Sequence, residues 1–480
     1  MQSDHKFTFS HRDITEADKD WCGKVSNSKA IDEFFQNLGW KRIILPLRDS
    51  SCVENIENID LEMIADLNKR KTAILPLDVD KIIPIRLASK ASWTWIADFR
   101  PLSDKWLLSH YLDEFLLEKE KEYAKNIGEN DNTAQKHRFH FRSWAVSAKF
   151  NKETMKDGQF TVDEVINILR KEEERASRNR NMNDWIPDDG YYVKPGGAMS
   201  GGGRAVNFVK SLFELEKYLL LWVRLRKKED KLGAVCLVQQ AMSNRRRMVW
   251  HHMDGIPRLF EVRVMAVITG MEDSSLDNSK KSFFSIRQGK QRCIGLQHGS
   301  VHIFPKLRFK ALPVPNSNKG PGPILLNQRR QDMANNSAHT CSNTTKSKSE
   351  MFNSYSLEDF LASIADDGRS NSWVDTKMLP QIVLAIQDTA NACCFPRKSH
   401  VKGNEHKMTT GLPKGAILVN AFDFIIDTEG NPWLLEVNTK PWLRWAGVNT
   451  DVAYPHKVAR TISAGVLDDL LRLIEDSKIL

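Results

Sequence analysis

The residues best placed to do chemistry lie near the C-terminal end, in FDFIIDTEGNPWLLEVN (422–438). Two short apolar runs flank a turn-forming DTEGN, which reads as an antiparallel hairpin. A turn centred between Glu429 and Gly430 sets Asp423 opposite Glu436, with Cβ atoms ~5 Å apart. Side chains alternate along a strand, so Asn438 lies beside Glu436 on the same face, while Phe422, Phe424, Leu435 and Val437 point to the other. Two carboxylates held together on apolar strands repel each other and lose hydration, and a bound cation removes both costs. Hard oxygen donors of this kind suit Mg²⁺ shared with substrate phosphates. A one-residue bulge would spoil this register. The bland alternative, an exposed acidic face, fits poorly with strands this apolar.

The second segment is GYYVKPGGAMSGGGRA (190–205). Its alternation reads as a strand ending at Lys194, followed by Gly196, Gly197, Gly201, Gly202 and Gly203. Glycine lets backbone N–H groups approach an anion closely, and a neighbouring lysine supplies counter-charge. Gly202 stands where a Walker loop has its lysine, so phosphate binding and an ordinary flexible loop remain level here. The third segment is the strand RLFEVRVMAVIT (258–269), where Glu261 and Arg263 share one face. They either pair with each other or line a cleft, in which case the planar fork of Arg263 suits a phosphoryl group.

The chain that must position these residues has 480 residues, 41% of them hydrophobic, which favours two or three domains over one. Three regions are expected. Residues 1–135 read as a mixed α/β domain, with strands at KRIILPL (41–47) and TAILPL (72–77) and a helix over 104–125. Residues 136–240 hold a helix over 162–178, apolar at Val162, Val165, Ile166 and Leu169, and the lysine–glycine segment. Residues 241–480 hold the Arg263 strand, the hairpin and an amphipathic tail helix with Val458, Ile462, Val466, Leu470 and Ile474 at four-residue steps. Within this region, 315–350 is rich in Asn, Ser, Gly, Pro and Lys and reads as a disordered insertion or mobile loop.

The net charge of +9 favours acidic partners. Seven scattered cysteines without a CxxC pair argue against a disulfide framework or structural zinc. The polar N-terminus lacks the apolar core of a signal peptide, and no run approaches the ~20 apolar residues that span a bilayer. A cytosolic or cytoskeletal protein is expected, with no membrane partner. The pairs His251–His252 and His137–His140 lack ligand company of recognised spacing and read as ordinary histidines. RNRN (178–181) and NRRR (244–247) read as solvated basic loops or as contacts to an acidic protein tail, because no nucleic-acid signature accompanies them.

Taken in order, these segments resemble the tubulin-tyrosine-ligase-like family. The landmarks are YYVKP with its glycine loop, AVCLVQQ (234–240), FEVR (260–263), FDF (422–424) and LLEVNTKP (434–441), covering roughly 185–445. The resemblance implies an ATP-grasp fold of the α/β (α+β) class. It implies that Lys194, the five glycines and Arg204 bind ATP phosphates and that Gln239 and Gln240 sit at the adenine hinge. Arg263 would contact the transferring phosphoryl group, and Asp423, Glu436 and Asn438 would hold Mg²⁺. The implied reaction joins a free amino acid (tyrosine, glutamate or glycine) to a carboxylate of a protein, most naturally an acidic tubulin tail, through an acyl phosphate. The insertion at 315–350 would be a candidate lid. A monomer is expected. The chain departs from the family pattern at Gln240, Leu259 and Glu261, where a lysine, a lysine and an aspartate are usual. The expected HLTN-like segment survives only as SAHTCSN (337–343), with Asn343 its nearest ligand. The competing reading is a catalytically silent relative that binds tubulin or microtubules. A basic RNA-binding protein and a ligase for small acids are weaker ones.

Overall fold

A computed structural model describes residues 6–10, 41–45, 72–75, 93–95, 99–126, 139–149, 159–178, 189–195, 206–229, 231, 234–251, 255, 257–270, 292–296, 299–313, 353–366, 372–394, 412, 416–439, 465 and 469. The expected mixture of helix and sheet is what the chain forms. The N-terminal region supplies β1 (Lys6–Ser10), β2 (Lys41–Leu45), β3 (Thr72–Leu75) and β4 (Trp93–Trp95). These strands run parallel in the order β2-β1-β3-β4. A short helix, α1 (Arg100–Ser103), then leads into α2 (Lys105–Asn126).

The next region forms a five-stranded sheet from β5 (Ser143–Ser147), β6 (Gln159–Phe160), β7 (Tyr191–Pro195), β8 (Asn207–Val209) and β9 (Val235–Gln240), ordered β6-β5-β9-β7-β8. Two helices, α3 (Val162–Arg178) and α4 (Leu212–Lys228), cover one face. Each starts at a side-chain cap. Thr161 and Glu164 exchange backbone-to-side-chain bonds at 3.0 and 3.2 Å, and the Glu214 N–H donates to Ser211 Oγ at 3.3 Å. The expected apolar stripe of α3 is buried, meeting Trp144, Val146, Val193 and Val238 from the sheet.

The remaining strands are β10 (Val249–His251), β11 (Pro257–Thr269), β12 (Arg292–Leu296), β13 (Gly299–Ile303), β14 (Arg308–Pro313), β15 (Asn353–Tyr355), β16 (Ala416–Ile426) and β17 (Pro432–Asn438). Among them lie α5 (Leu357–Asp366) and, after a π turn at Val374–Met378, α6 (Leu379–Cys394). β16 is central: β11 and β17 flank it in antiparallel fashion, and its start pairs in parallel with β4. The N-terminal strands therefore continue the same large sheet. Even-numbered residues of β11 and β16 (Phe260, Val262, Val264; Phe422, Phe424) pack with α1, α2, α5 and α6 into the principal core. Cys393 and Cys394 are buried there as apolar filling. Odd-numbered residues of both strands face away from this core, and the candidate site is built on that side.

Among the described residues no helix is long and apolar enough to cross a membrane. The 315–350 insertion, Asn343 and the tail stripe Val458, Ile462, Val466, Leu470 and Ile474 lie outside the described residues.

Candidate active site

The β16–β17 hairpin is set by its turn. Asp427, nearly buried, accepts from the N–H groups of Glu429 (2.9 Å) and Asn431 (2.8 Å), from Asn431 Nδ2 (3.0 Å) and from Trp433 Nε1 (3.0 Å). Gly430 supplies the left-handed backbone that closes the turn, with φ of +86°. The strands leave this turn with Ile426 opposite Pro432 and Phe424 opposite Leu434, then shift by one residue so that Asp423 faces Glu436. The turn is thus centred on Glu429, half a residue from where the sequence placed it, and a β-bulge at Leu435 restores the expected carboxylate pairing. The bulge has one visible consequence. Leu435 does not share a face with Phe422 and Phe424; it packs with Ile425, Trp433 and Phe141, and Leu434 takes the core position instead.

Asp423, Glu436 and Asn438 converge. Asn438 Nδ2 donates to Asp423 Oδ2 at 3.1 Å and to Glu436 Oε1 at 3.4 Å. Arg263, directly opposite Asp423 in the β11–β16 register, grips it with a fork: Nε to Oδ1 at 2.7 Å and Nη2 to Oδ2 at 2.6 Å. Lys310 of β14 reaches Asp423 Oδ1 at 3.2 Å and Glu261 Oε2 at 3.7 Å. Lys105, the first residue of α2, meets Glu436 Oε2 at 3.3 Å. Burial alone would raise the Asp423 carboxyl, but Arg263 and Lys310 outweigh it and hold the group well below its ordinary range. Glu436 is likewise held low against its burial, chiefly by Lys105. Burial, with Arg263 nearby, pulls the Lys310 ammonium below the usual lysine range. Glu261 and Arg263 do share one face as expected, and each also has a partner across strands, Lys310 for Glu261 and Asp423 for Arg263.

The facing wall is the uncovered side of the small sheet. Tyr192, Lys194 and Gln239 share it, and Lys194 Nζ donates to Gln239 Oε1. Burial, reinforced by Lys105 and opposed by Glu436 and Glu261, brings Lys194 down to about 7. Gln240 points the other way. Its Oε1 accepts from the Arg142 N–H at 3.2 Å at the end of the β5–β9 ladder, so its side chain ties strands together. The walls meet in an apolar cluster of Phe141, Tyr192, Val206, Ile425, Trp433 and Leu435.

The structure therefore brings Lys194, Gln239, Arg263, Asp423, Glu436 and Asn438 to one polar cleft and turns the Gln240 side chain away from it. Gly196, Gly197, Gly201, Gly202, Gly203 and Arg204 lie outside the described residues. Sequence reasoning missed Lys105, which looked like any helix-start lysine. It also missed Lys310, whose one signal was a lysine alternating with Phe309 and Ala311 on a short strand. Of NRRR, read as a solvated basic loop, Arg245 is exposed, but Arg246 pairs with Asp189 at 2.8 Å and Arg247 is buried, donating to the Phe260 carbonyl at 3.4 Å. His140 is buried with Nε2 3.1 Å from Asp113 Oδ1.

The donor set fits Mg²⁺. It offers two opposed carboxylates and an amide whose rotation would present Oδ1, and these are hard oxygen donors. Among the described residues no group of three or more His, Cys, Asp or Glu side chains is arranged to hold a metal, so the remaining ligands would come from phosphate and water.

A comparison with family models matches residues 327–474 to the tubulin-tyrosine ligase family. A comparison with curated proteins finds no match. Among solved structures, the chain is similar to the C-terminal domain from K. lactis Pby1, described as an ATP-grasp enzyme interacting with the mRNA decapping enzyme Dcp2. The identity is 13%, the TM-score 0.46, and the alignment covers 97% of this chain and 92% of that one. The family match contains the whole β16–β17 hairpin, while Lys194, Gln239 and Arg263 precede it.

Proposed function

We propose that this chain is an ATP- and Mg²⁺-dependent ligase that joins an amino acid to a carboxylate of an acidic protein segment, with a tubulin tail the first candidate. The observation that carries this reading is the opposed Asp423–Glu436 pair, joined by Asn438 and faced across the cleft by Lys194. The charge balance around it supports the same reading. Lys105, Lys194, Arg263, Arg308 and Lys310 gather around Asp423, Glu436 and Glu261. Among the described residues the basic side chains outnumber these carboxylates, which suits the cleft to anions, both the nucleotide and the acceptor.

In the proposed reaction the acceptor carboxylate oxygen attacks the γ-phosphorus of ATP and ADP departs, leaving an acyl phosphate. The amine of the amino acid then attacks the acyl carbon, phosphate departs, and the amine's proton passes to solvent or phosphate. When bound by Asp423, Glu436 and Asn438, Mg²⁺ would draw the phosphate oxygens together and neutralise their charge. Lys194 would hold the phosphates from the small-sheet side. Arg263, its side chain 21% exposed towards the cleft, would turn part of its fork to the transferring group. The apolar cluster around Trp433 would keep water from the back of the site. A cytoplasmic setting fits this reading, since acidic cytoskeletal tails would be the acceptors.

A second reading rests on the same contacts. Arg263 and Lys310 already occupy both oxygens of Asp423, as a silent family member that binds acidic tails without turnover would have it. Intact-mass analysis separates the two. Tubulin-tail peptides are incubated with the protein, Mg-ATP and tyrosine, glutamate or glycine in turn. A residue added by the natural chain and absent with Glu436→Gln supports the ligase. No added mass with any amino acid, together with undiminished tail binding, supports the silent binder.

A further inference from the structure

The outer face of α4 is unlike the rest of the described surface. Six large hydrophobic side chains are notably exposed among the described residues, and four of them belong to this one helix: Phe213 (64%), Leu220 (40%), Leu221 (57%) and Leu225 (49%). Helix α3 packs beside it on the same sheet face and shows an ordinary outer surface of Asp163, Asn167, Arg170 and Glu174. Propensity explains why leucines form a helix, but not why four large apolar groups stay in water, at a cost set by their apolar area. The inner face of α4 is already satisfied, with Leu215, Leu219 and Val223 buried against the sheet.

The arrangement of charge names the partner. At roughly 100° per residue, Lys217, Arg224 and Lys228 form one line down the middle of the exposed face. Phe213 and Leu220 lie on one side of that line, and Leu221 and Leu225 on the other. Lys217 is held in the line over the Phe213 ring, 4.0 Å from its centroid. A helix that inserts in a membrane has the reverse layout, an apolar centre with cations at its borders. Here insertion would drag the cations in first. A second copy of this face would set one cationic line against another. What fits is a helix with an acidic line flanked by apolar residues on both sides.

We propose that the outer face of α4 docks an acidic amphipathic helix of a partner protein. Its acids would engage Lys217, Arg224 and Lys228, and its leucine-type residues would cover Phe213, Leu220, Leu221 and Leu225. The site lies on the opposite side of the small sheet from Lys194 and Gln239, so docking leaves the cleft open. The partner thus recruits or places the protein and does not compete with nucleotide. The proposal does not depend on the ligase reading.

The probe is a fluorescein-labelled synthetic helix of about 18 residues, ~27 Å long, with glutamates at the 7- and 4-residue steps of the cations and leucines on both flanks. The full-length protein is titrated against it by anisotropy, with a scrambled peptide of equal composition as control. The patterned peptide should bind about tenfold more tightly than the scrambled one, and Arg224→Glu should weaken it about tenfold. Leu221→Ser should weaken it as well, with thermal unfolding unchanged because both positions are exposed. Hydrogen exchange should slow at 213–228 when the patterned peptide is bound. Equal binding of the two peptides would overturn the proposal. So would undiminished binding by Arg224→Glu, α4-dependent binding to phosphatidylserine vesicles that the peptide does not displace, or a self-association abolished by Leu221→Ser.

Discussion

At the residue scale, the cleft places each cation where it must choose between a carboxylate and a phosphate. Lys310 is the clearest case, since its side chain is only 4% exposed and bridges Asp423 and Glu261. Removing it takes from the buried Glu261 a cation 3.7 Å away, while Arg263 remains on Asp423. Lys310→Met should lower the unfolding free energy in urea by about 3 kcal/mol, and Lys310→Met with Glu261→Leu should recover most of that loss. An additive double variant would show that the two do not act as a pair. Lys194 gives a second prediction, in pH. In the free protein it loses its charge as pH rises through about 7. Phosphate oxygens beside it favour the charged form, so nucleotide binding takes up a proton. Affinity for Mg-ATP should therefore fall as pH climbs from 7.5 to 9, by up to ~tenfold per unit. Calorimetric titration should show this slope in the natural chain and its loss in Lys194→Met.

At the element scale, the hairpin depends on its turn. Gly430→Ala places a Cβ in a left-handed backbone and 3.1 Å from the Trp373 ring. It should cost about 1–3 kcal/mol by thermal unfolding. Asp427→Ala should cost more, because it strips four hydrogen bonds from a buried turn. Both should weaken Mg²⁺ binding, since the bulge at Leu435 transmits the turn's register to Glu436. This hairpin also shows what was legible in the sequence. The Asp423–Glu436 pairing and the single face shared with Asn438 were readable from alternation. The turn centre and the bulge were not, because each shifts the register in a way that cancels the other at the carboxylates. Only Leu435, which faces Phe141 and Trp433 rather than the Phe422 core, records the difference. Helix α3 and strands β7, β11, β16 and β17 were legible because their apolar residues recur at helix or strand spacing. Lys310 and Lys105 were not, because their roles come from the β11–β14 register and from the docking of α2, and neither is a local pattern.

At the scale of the whole molecule, two sheets built from separate stretches of chain meet along one apolar seam and one polar cleft. The seam is fixed by Trp433, which stacks on Phe141 with centroids 5.3 Å apart while its Nε1 holds the turn carboxylate. Among the described residues, no hydrogen bond or ion pair joins Lys194 to Glu436 across the cleft. Lys194 belongs to the small sheet and Glu436 to the large one, and Lys105, which contacts Glu436, comes from the N-terminal side. That the N-terminal strands extend the large sheet was not readable from residues 1–135, since the joining contact pairs β4 with β16, more than 300 positions later. A nucleotide held by Lys194 on one wall and by the Asp423–Glu436 pair on the other would fasten the two sheets together. Saturating Mg-ATP should then raise the unfolding free energy of the whole chain, by about 2.7 kcal/mol at a hundredfold excess over Kd. Scanning calorimetry should show one sharpened transition at higher temperature. Lys194→Met and Glu436→Gln should each abolish the shift, although they stand on different sheets. A shift that survives either substitution would mean that nucleotide is held by one wall alone, and the cleft would then bind without bridging.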